Sequence, residues 1–321
     1  MGTNRAFVRR HNGEGRRRWW ILALSLFLLF DIALVAFALN ANSARTATGE
    51  LRLSSTASAS TTPTPSVTPT LTVAPTVAVS QRLLAAISVD VAWRGVVGTC
   101  PDGLSELEYT NDGGESWAVV DPARATGANT LVRVALGSTS EAHVVTLDGE
   151  CAPQLVGTFV AGEAWEDYSS NLGSYWYVDP ADRGNIHAPD GTVAAPCESV
   201  VAIATRSSSE AVALCADQAL FATSDGGAEW SSTISVPGAV AIDASADGYV
   251  IAVAAQGGCV GTSVVMLAGG EPSEPVGCFG EAAPSGQTSL AAAGDNALWL
   301  WAGDNFAQST DGGETWIQIL T

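Results

Sequence analysis

Thr110-Asn111-Asp112-Gly113-Gly114-Glu115-Ser116-Trp117 is repeated twice further along this chain. The copies are Thr223-Ser224-Asp225-Gly226-Gly227-Ala228-Glu229-Trp230 and Ser309-Thr310-Asp311-Gly312-Gly313-Glu314-Thr315-Trp316. Self-similarity at long period marks a repeat architecture and outranks any local reading of helix or strand. An Asp followed by two glycines lets the backbone reverse with positive φ while the carboxylate accepts hydrogen bonds from the turn's own amides. A short apolar run precedes each copy (residues 107–110, 219–223 and 306–310), and each Trp begins the strand that leaves the turn. Each copy therefore reads as a hairpin corner whose indole packs against a neighbouring sheet.

The pattern resembles the Asp-box, or bacterial neuraminidase repeat, of form Ser/Thr-x-Asp-x-Gly-x-Thr/Ser-Trp. The first and third copies match it throughout, and the second departs by carrying Glu229 at the Thr/Ser position. The resemblance implies structural roles for Asp112, Gly114, Trp117, Asp225, Gly227, Trp230, Asp311, Gly313 and Trp316. The spacing of the three tryptophans divides into a unit of roughly forty residues, the size of a four-stranded propeller blade. Degenerate copies fill the gaps: Ala161-Gly162-Glu163-Ala164-Trp165, with Val160 where the Asp belongs, and Ala268-Gly269-Gly270-Glu271, without a Trp. The expected fold is all-β, a β-propeller of about five four-stranded blades with a sixth allowed. The blades fall at residues 83–121, 130–168, 197–236, 238–280 and 287–321. Because the last corner is followed by a single strand, the ring has to close by packing of the first blade on the last.

Upstream of the propeller the composition changes three times. Residues 1–18 carry six arginines and no apolar period, a disordered basic arm. Residues 19–39 carry one charge, Asp31, and are long enough as a helix to cross a hydrocarbon core of about 30 Å. The arginines before this span place the N-terminus in the cytoplasm, with Trp19 and Trp20 at the interface. The competing reading is a cleaved signal peptide with Ala36-Phe37-Ala38 at the cleavage site. Under either reading the remainder lies outside the cytoplasm, and under the first the lipid bilayer is a partner of residues 19–39. Residues 40–81 are dominated by Ser, Thr, Ala and Pro, as in Thr61-Thr62-Pro63-Thr64-Pro65-Ser66. They form a disordered stalk that cannot bury a core. Residues 82–321 are the extracytoplasmic propeller of a single-pass protein of the cell membrane.

Six cysteines outside the cytoplasm point to disulfides. In a blade whose strands run from inside to outside, the turns after strands two and four share one rim, and the Asp-boxes, between strands three and four, share the other. All six cysteines fall on the rim away from the Asp-boxes, which predicts the pairs Cys100–Cys151, Cys197–Cys215 and Cys259–Cys278. The same rim is expected to receive a long insertion, residues 169–196, between the second and third of these blades. Its Tyr175, Trp176, Tyr177, Asp179, Asp182, Arg183 and His187 make an aromatic and polar mix suited to stacking on a sugar ring or anchoring a protein. The alternative is that these aromatics cover a propeller mouth or form an extra edge strand.

No C-x-x-C occurs and the three histidines are scattered, so no metal site is expected. No EF-hand, P-loop or G-x-S-x-G is present, and no cofactor is expected. Beyond residue 82 the chain holds 30 carboxylates against five arginines, a net charge of −25, which repels nucleic acid and anionic sugars. Asp-box propellers include sialidases, and the resemblance implies an arginine triad, a Tyr nucleophile paired with a Glu, and an acid/base Asp. None of Arg94, Arg124, Arg133, Arg183 and Arg206 stands in the Arg-Ile-Pro context of that family. The expected function is a binding or scaffold module for an envelope protein or polysaccharide. The alternative is a glycoside hydrolase, which needs two facing carboxylates in the central mouth.

Overall fold

Short runs of Val, Ala, Leu and Ile cut by Gly, Asp and Ser turns are too brief for stable helices, and each pairs with the next run along the chain. In the computed structural model, which describes residues 76–103, 105–294 and 296–320, these runs form six antiparallel sheets. Blade one comprises β1 (Arg82–Ala86), β2 (Ala92–Val96), β3 (Glu106–Thr110) and β4 (Ala118–Val120). A short helix, α1 (Ala123–Thr126), leads to blade two: β5 (Thr130–Leu136), β6 (Ala142–Leu147), β7 (Pro153–Thr158) and β8 (Glu166–Asp167). Blade three has β9 (Tyr177–Asp179), β10 (Asp182–Ala188) and β11 (Gly191–Ala194), and blade four β12 (Val200–Thr205), β13 (Ala211–Cys215), β14 (Ala219–Thr223) and β15 (Ile234–Ser235). Blade five is β16 (Ala239–Ser245), β17 (Gly248–Ala254), β18 (Thr262–Ala268) and β19 (Glu271–Pro272), with β20 (Val276–Phe279) added on β18. Blade six is β21 (Thr288–Ala293), β22 (Ala297–Ala302), β23 (Asn305–Ser309) and β24 (Ile317–Ile319).

Burial follows position in the blade. Every residue of β13 and of β22 is buried, because neighbouring blades cover both faces, whereas the outer β4 and β24 are largely exposed. The apolar core is correspondingly divided into six clusters, one at each seam between adjacent blades. That arrangement defines a closed six-bladed β-propeller. At the closing seam no strand is shared. Blade six meets blade one through Trp299, Trp301 and Phe306 against Ala92 and Leu84, and the Trp299 indole N–H donates to Ser88 O at 2.9 Å.

The three Asp corners repeat in atomic detail. Asp112 Oδ1 accepts from Thr110 Oγ1 at 2.7 Å and from Ser116 N at 3.0 Å, and Gly114 N donates to Thr110 Oγ1 at 3.1 Å. Asp225 and Asp311 make the same set. Asp112 and Asp311 also accept a hydroxyl bond, from Ser116 and Thr315, which Glu229 cannot supply to Asp225. These bonds favour the ionised carboxylate, and the first two are held down to about 2. Each corner Trp packs on the preceding blade: Trp117 on blade six, Trp230 on blade three, Trp316 on Phe279 of blade five. The second glycine is required at that contact. Gly227 has φ +87°, and a Cβ there would stand 2.8 Å from Val193 of blade three.

All three disulfides form as the topology predicts, on the rim away from the Asp corners. Cys100–Cys151 ties the β2–β3 loop to the β6–β7 loop of the next blade, and the other two lie within blades four and five.

Two expectations are corrected. The insertion at 169–196 is not a loop on the disulfide rim. It is blade three, a full member of the ring with three strands in the order β11-β10-β9. After β8 the chain climbs back toward the Asp-corner rim through a 3-10 turn, Ser169–Ser174, so β9 runs opposite to the other innermost strands. The β10–β11 turn then lies beside the Asp corner of blade four, where a Cβ on Gly226 would be 3.8 Å from Asp190 Oδ2. In addition, residues 76–81, which the composition assigns to the stalk, already belong to the propeller. Val77 N donates to Ala216 O of blade four at 2.7 Å, Gln81 N to Gly286 O of blade six at 2.8 Å, and Val77 and Val79 pack on the seam between blades four and five. The basic arm, the span at 19–39 and the stalk up to residue 75 lie outside the described residues. Among the described residues no helix is long and apolar enough to cross a membrane.

Candidate functional site

The seam between blades two and three has the smallest fully buried core of the six, Val145, Leu155 and Tyr177, with Tyr168, Leu172 and Tyr175 only partly covered. A three-stranded blade cannot shield its neighbour as a four-stranded one does, so aromatic surface is left open here. Tyr175, Tyr177 and His187 line a cleft of about 370 Å³ together with Leu172, Pro189 and Asp190. That volume is in the range of small-ligand and peptide-side-chain sites.

Tyr177 is the floor of the cleft: it is 4% exposed and stacks on His187 with ring centroids 4.1 Å apart and planes at 4°. The two rings face each other because Tyr177 and His187 are directly paired across β9 and β10. His187 Nδ1 lies 3.2 Å from Thr192 Oγ1. Tyr175 forms the wall and leads outward to His143 at 5.7 Å, which in turn meets Tyr168 and Phe159 edge-on, each at 5.7 Å. Gly157, paired with His143 across β6 and β7, makes room for this platform, since a Cβ there would meet Tyr168 at 2.9 Å and His143 at 3.0 Å.

At the outer end of the platform the blade-two corner keeps its backbone and loses its carboxylate. Gly162 N donates to Thr158 Oγ1 at 3.0 Å, and Ala161 and Gly162 have φ of 53° and 87°, close to the 77° and 86° of Gly113 and Gly114. Where other corners carry Asn-Asp, Ser-Asp and Thr-Asp, this one carries Phe159-Val160, and these two side chains are 50% and 46% exposed.

Three carboxylates edge the surface. Glu141 Oε1 is 3.8 Å from His143 Nδ1, Glu166 Oε2 accepts from Tyr168 OH at 3.1 Å, and Asp190 borders the cleft. Burial raises the phenols of Tyr168, Tyr175 and Tyr177, with Glu166 and Glu141 adding to Tyr168, Glu141 to Tyr175 and Asp179 to Tyr177. All three phenols are therefore neutral hydrogen-bonding groups at neutral pH.

Of the seven residues singled out in the sequence, the fold brings Tyr175, Tyr177 and His187 together. Trp176 is 4% exposed in the core between blades three and four, with its indole N–H on Ser207 O at 3.0 Å. Asp179, Asp182 and Arg183 build the β9–β10 turn: Ala181 N donates to Asp179 Oδ1, Gly184 N to Asp182 Oδ1, and Arg183 Nη1 to Val200 O. Phe159, His143 and Tyr168 were not singled out in the sequence, and Val160 was noted only as the residue standing where the Asp belongs. The available signal was an apolar pair at two turn positions that are polar in the three full corners.

The central channel holds a different arrangement. Arg133 of β5 donates to Trp176 O at 3.1 Å and Thr205 Oγ1 at 2.7 Å, bridging blades two, three and four. Asp243 of β16 accepts from Ala292 N at 2.9 Å, and burial pushes its carboxyl up to about 6 against the pull of Arg133. The charged group that acts on Asp243 is Arg133.

No family model matches the chain, and no curated protein matches it. Solved structures similar to it include lectins, a WD40 β-propeller domain and a GH74 xyloglucanase. One is YCF48 bound to D1 peptide, 19% identical over 78% of this chain and 72% of that one, TM-score 0.27. Another is AofleA from Arthrobotrys oligospora, 12% identical over 78% and 89%, TM-score 0.48. A third is the six-bladed Aleuria aurantia lectin, 12% identical over 77% and 97%, TM-score 0.46. The function of this chain has to be read from its own side chains, those of a six-bladed β-propeller.

Proposed function

We propose that this chain is a membrane-anchored, extracytoplasmic propeller of the Asp-box type, a binding or scaffold module for an envelope protein or a glycan. The observation that carries this reading is the partly exposed run of rings from Phe159 through His143 and Tyr168 to Tyr175, which shares one cleft with the Tyr177–His187 stack. Exposed aromatic groups rimmed by polar ones are the usual anchors of recognition surfaces. Three disulfides support an oxidising location outside the cytoplasm. Residues 19–39 supply the anchor and the following Ser/Thr/Pro stretch the spacer. Residues 77 and 81 bond to the propeller at Ala216 and Gly286 on the disulfide rim, and the aromatic surface lies on the Asp-corner rim.

The test is capture from solubilised envelope by the full-length protein, side by side with a Phe159→Ser variant. A protein or polysaccharide retained by the native chain and lost from the variant is expected. Identical captured material from both would remove the aromatic surface from the function.

A further inference from the structure

Among the described residues, two of the aromatic clusters have glutamates beside them and invite comparison, and one of the two holds the protein's own arginines. At the seam of blades six and one the Arg94 guanidinium lies 4.2 Å from the Trp117 ring centroid and 4.9 Å from that of Phe306, with Nε 2.6 Å from Glu108 Oε2. Arg82 lies 4.2 Å over Trp301. The seam of blades two and three has the same ingredients: four linked rings from Phe159 to Tyr175 and the stacked pair Tyr177–His187 lining one cleft with Tyr175, with Glu141, Glu166 and Asp190 at their edge. Among the described residues no arginine lies over these rings, and the chain has no lysine. Arg133, the arginine of this seam, is committed to Trp176 O and Thr205.

Resting on the binding reading above, we infer that the blade two–three surface receives an arginine-bearing segment of a protein partner. Ring faces attract a cation through their quadrupole, and a planar guanidinium can stack on a ring while donating to a carboxylate beside it. Glu141 is placed to accept at the His143–Tyr175 face and Asp190 at the cleft. Phe159 and Val160 supply apolar area for the arginine stem or its neighbours. The net charge of −25 beyond residue 82 draws a basic segment toward the domain and disfavours an acidic one. A neutral glycan would also use the ring faces and donate its hydroxyls to the carboxylates, but it would gain nothing from the negative charge of the domain.

The test uses the full-length protein in detergent micelles and fluorescein-labelled dodecapeptides that differ only in two central residues, arginine in one and neutral, isosteric citrulline in its twin. Fluorescence anisotropy should show the arginine peptide binding at least tenfold more tightly, with the advantage shrinking from 0.05 to 0.5 M salt. The variant combining Glu141→Gln, Glu166→Gln and Asp190→Asn changes side chains at the protein surface. With an unchanged melting curve, it should lose that advantage. Equal affinity of the twins, absence of binding by either, or an unaffected triple variant overturns the inference. Neutral oligosaccharides bound by the native chain and lost with Phe159→Ser would overturn it while preserving the binding reading. Envelope capture indifferent to Phe159→Ser would take down both.

Discussion

Two aromatic seams of this ring, that of blades six and one and that of blades two and three, differ in what the chain requires of them. Blades six and one are joined by no shared strand, so the Trp117, Trp299, Trp301 and Phe306 cluster has to hold the ring shut, and it is buried and occupied by the molecule's own Arg94 and Arg82. Blades two and three are consecutive in sequence, and the chain itself passes from one to the other through Ser169–Ser174. That seam can leave rings uncovered without opening the ring. The contrast teaches that similar aromatic chemistry serves closure where connectivity is missing and becomes available for recognition where connectivity is present.

The largest expected effect is at the closing seam. Trp299 is fully buried, meets Trp117 edge-on at 6.1 Å and donates to Ser88 O. Trp299→Ala should cost about 3–5 kcal/mol in denaturant unfolding, the range for removing a large core aromatic. A loss under about 1 kcal/mol would mean that the ring is held by something other than this seam.

Next in size is a gain, and it tests whether Arg133 is structurally committed to the channel. The Asp243 carboxyl is raised from an ordinary 3.8 to about 6, so the folded state holds its proton more tightly than the unfolded chain does. The stability associated with the protonated form is complete below about 3.8 and is lost as pH rises through about 6. Asp243→Asn, which resembles the neutral acid, should therefore stabilise the protein at pH 8 by up to about 3 kcal/mol. At pH 4 it should be nearly neutral. Melting curves at the two pH values decide it, and an equal effect at both would mean that the carboxylate is ionised in the channel throughout.

A smaller loss is expected from Arg94→Gln, which removes the cation over Trp117 and Phe306 and the partner of Glu108. Because both charged groups are partly solvated, the cost should be about 1–2 kcal/mol in the same unfolding experiment. A neutral result would imply that the rings alone close the seam, and would weaken the analogy drawn for the open one.

Why one seam was easier to read than the other is a matter of repetition. The corners at 112, 225 and 311 are built from contacts within eight residues, so their sequence carries their structure, and with them came five blade positions and the disulfide pairs. Blade three has no such corner. Its β9 is three residues long, and β10 carries Asp182, Arg183, Asn185 and His187 among its seven residues with a register break between Asp182 and Ile186, which masks the alternation a strand would show. Tyr175, Tyr177 and His187 were visible as a composition. Their partners Phe159, His143 and Tyr168 come from blade two and meet them only through folding.

Val160→Asp gives the smallest effect on stability and the most direct comparison. The blade-two corner already has the required backbone, with Ala161 and Gly162 at φ of 53° and 87° and Thr158 Oγ1 bonded to Gly162 N. An Asp at 160 would find Thr158 Oγ1 and the amide of residue 164 where Asp112 finds Thr110 Oγ1 and Ser116 N. The gain should be about 0.5–1 kcal/mol, as for other side-chain caps on backbone amides. It should come with weaker retention of any partner, because an exposed apolar side chain next to Phe159 is lost and the new carboxylate is turned into its own turn. A variant that is more stable and binds less would show that the missing carboxylate was exchanged for a recognition surface. A variant that is more stable and binds equally would show Phe159-Val160 to be a decayed corner, and the functional half of the comparison would then rest on the Tyr175 cleft alone.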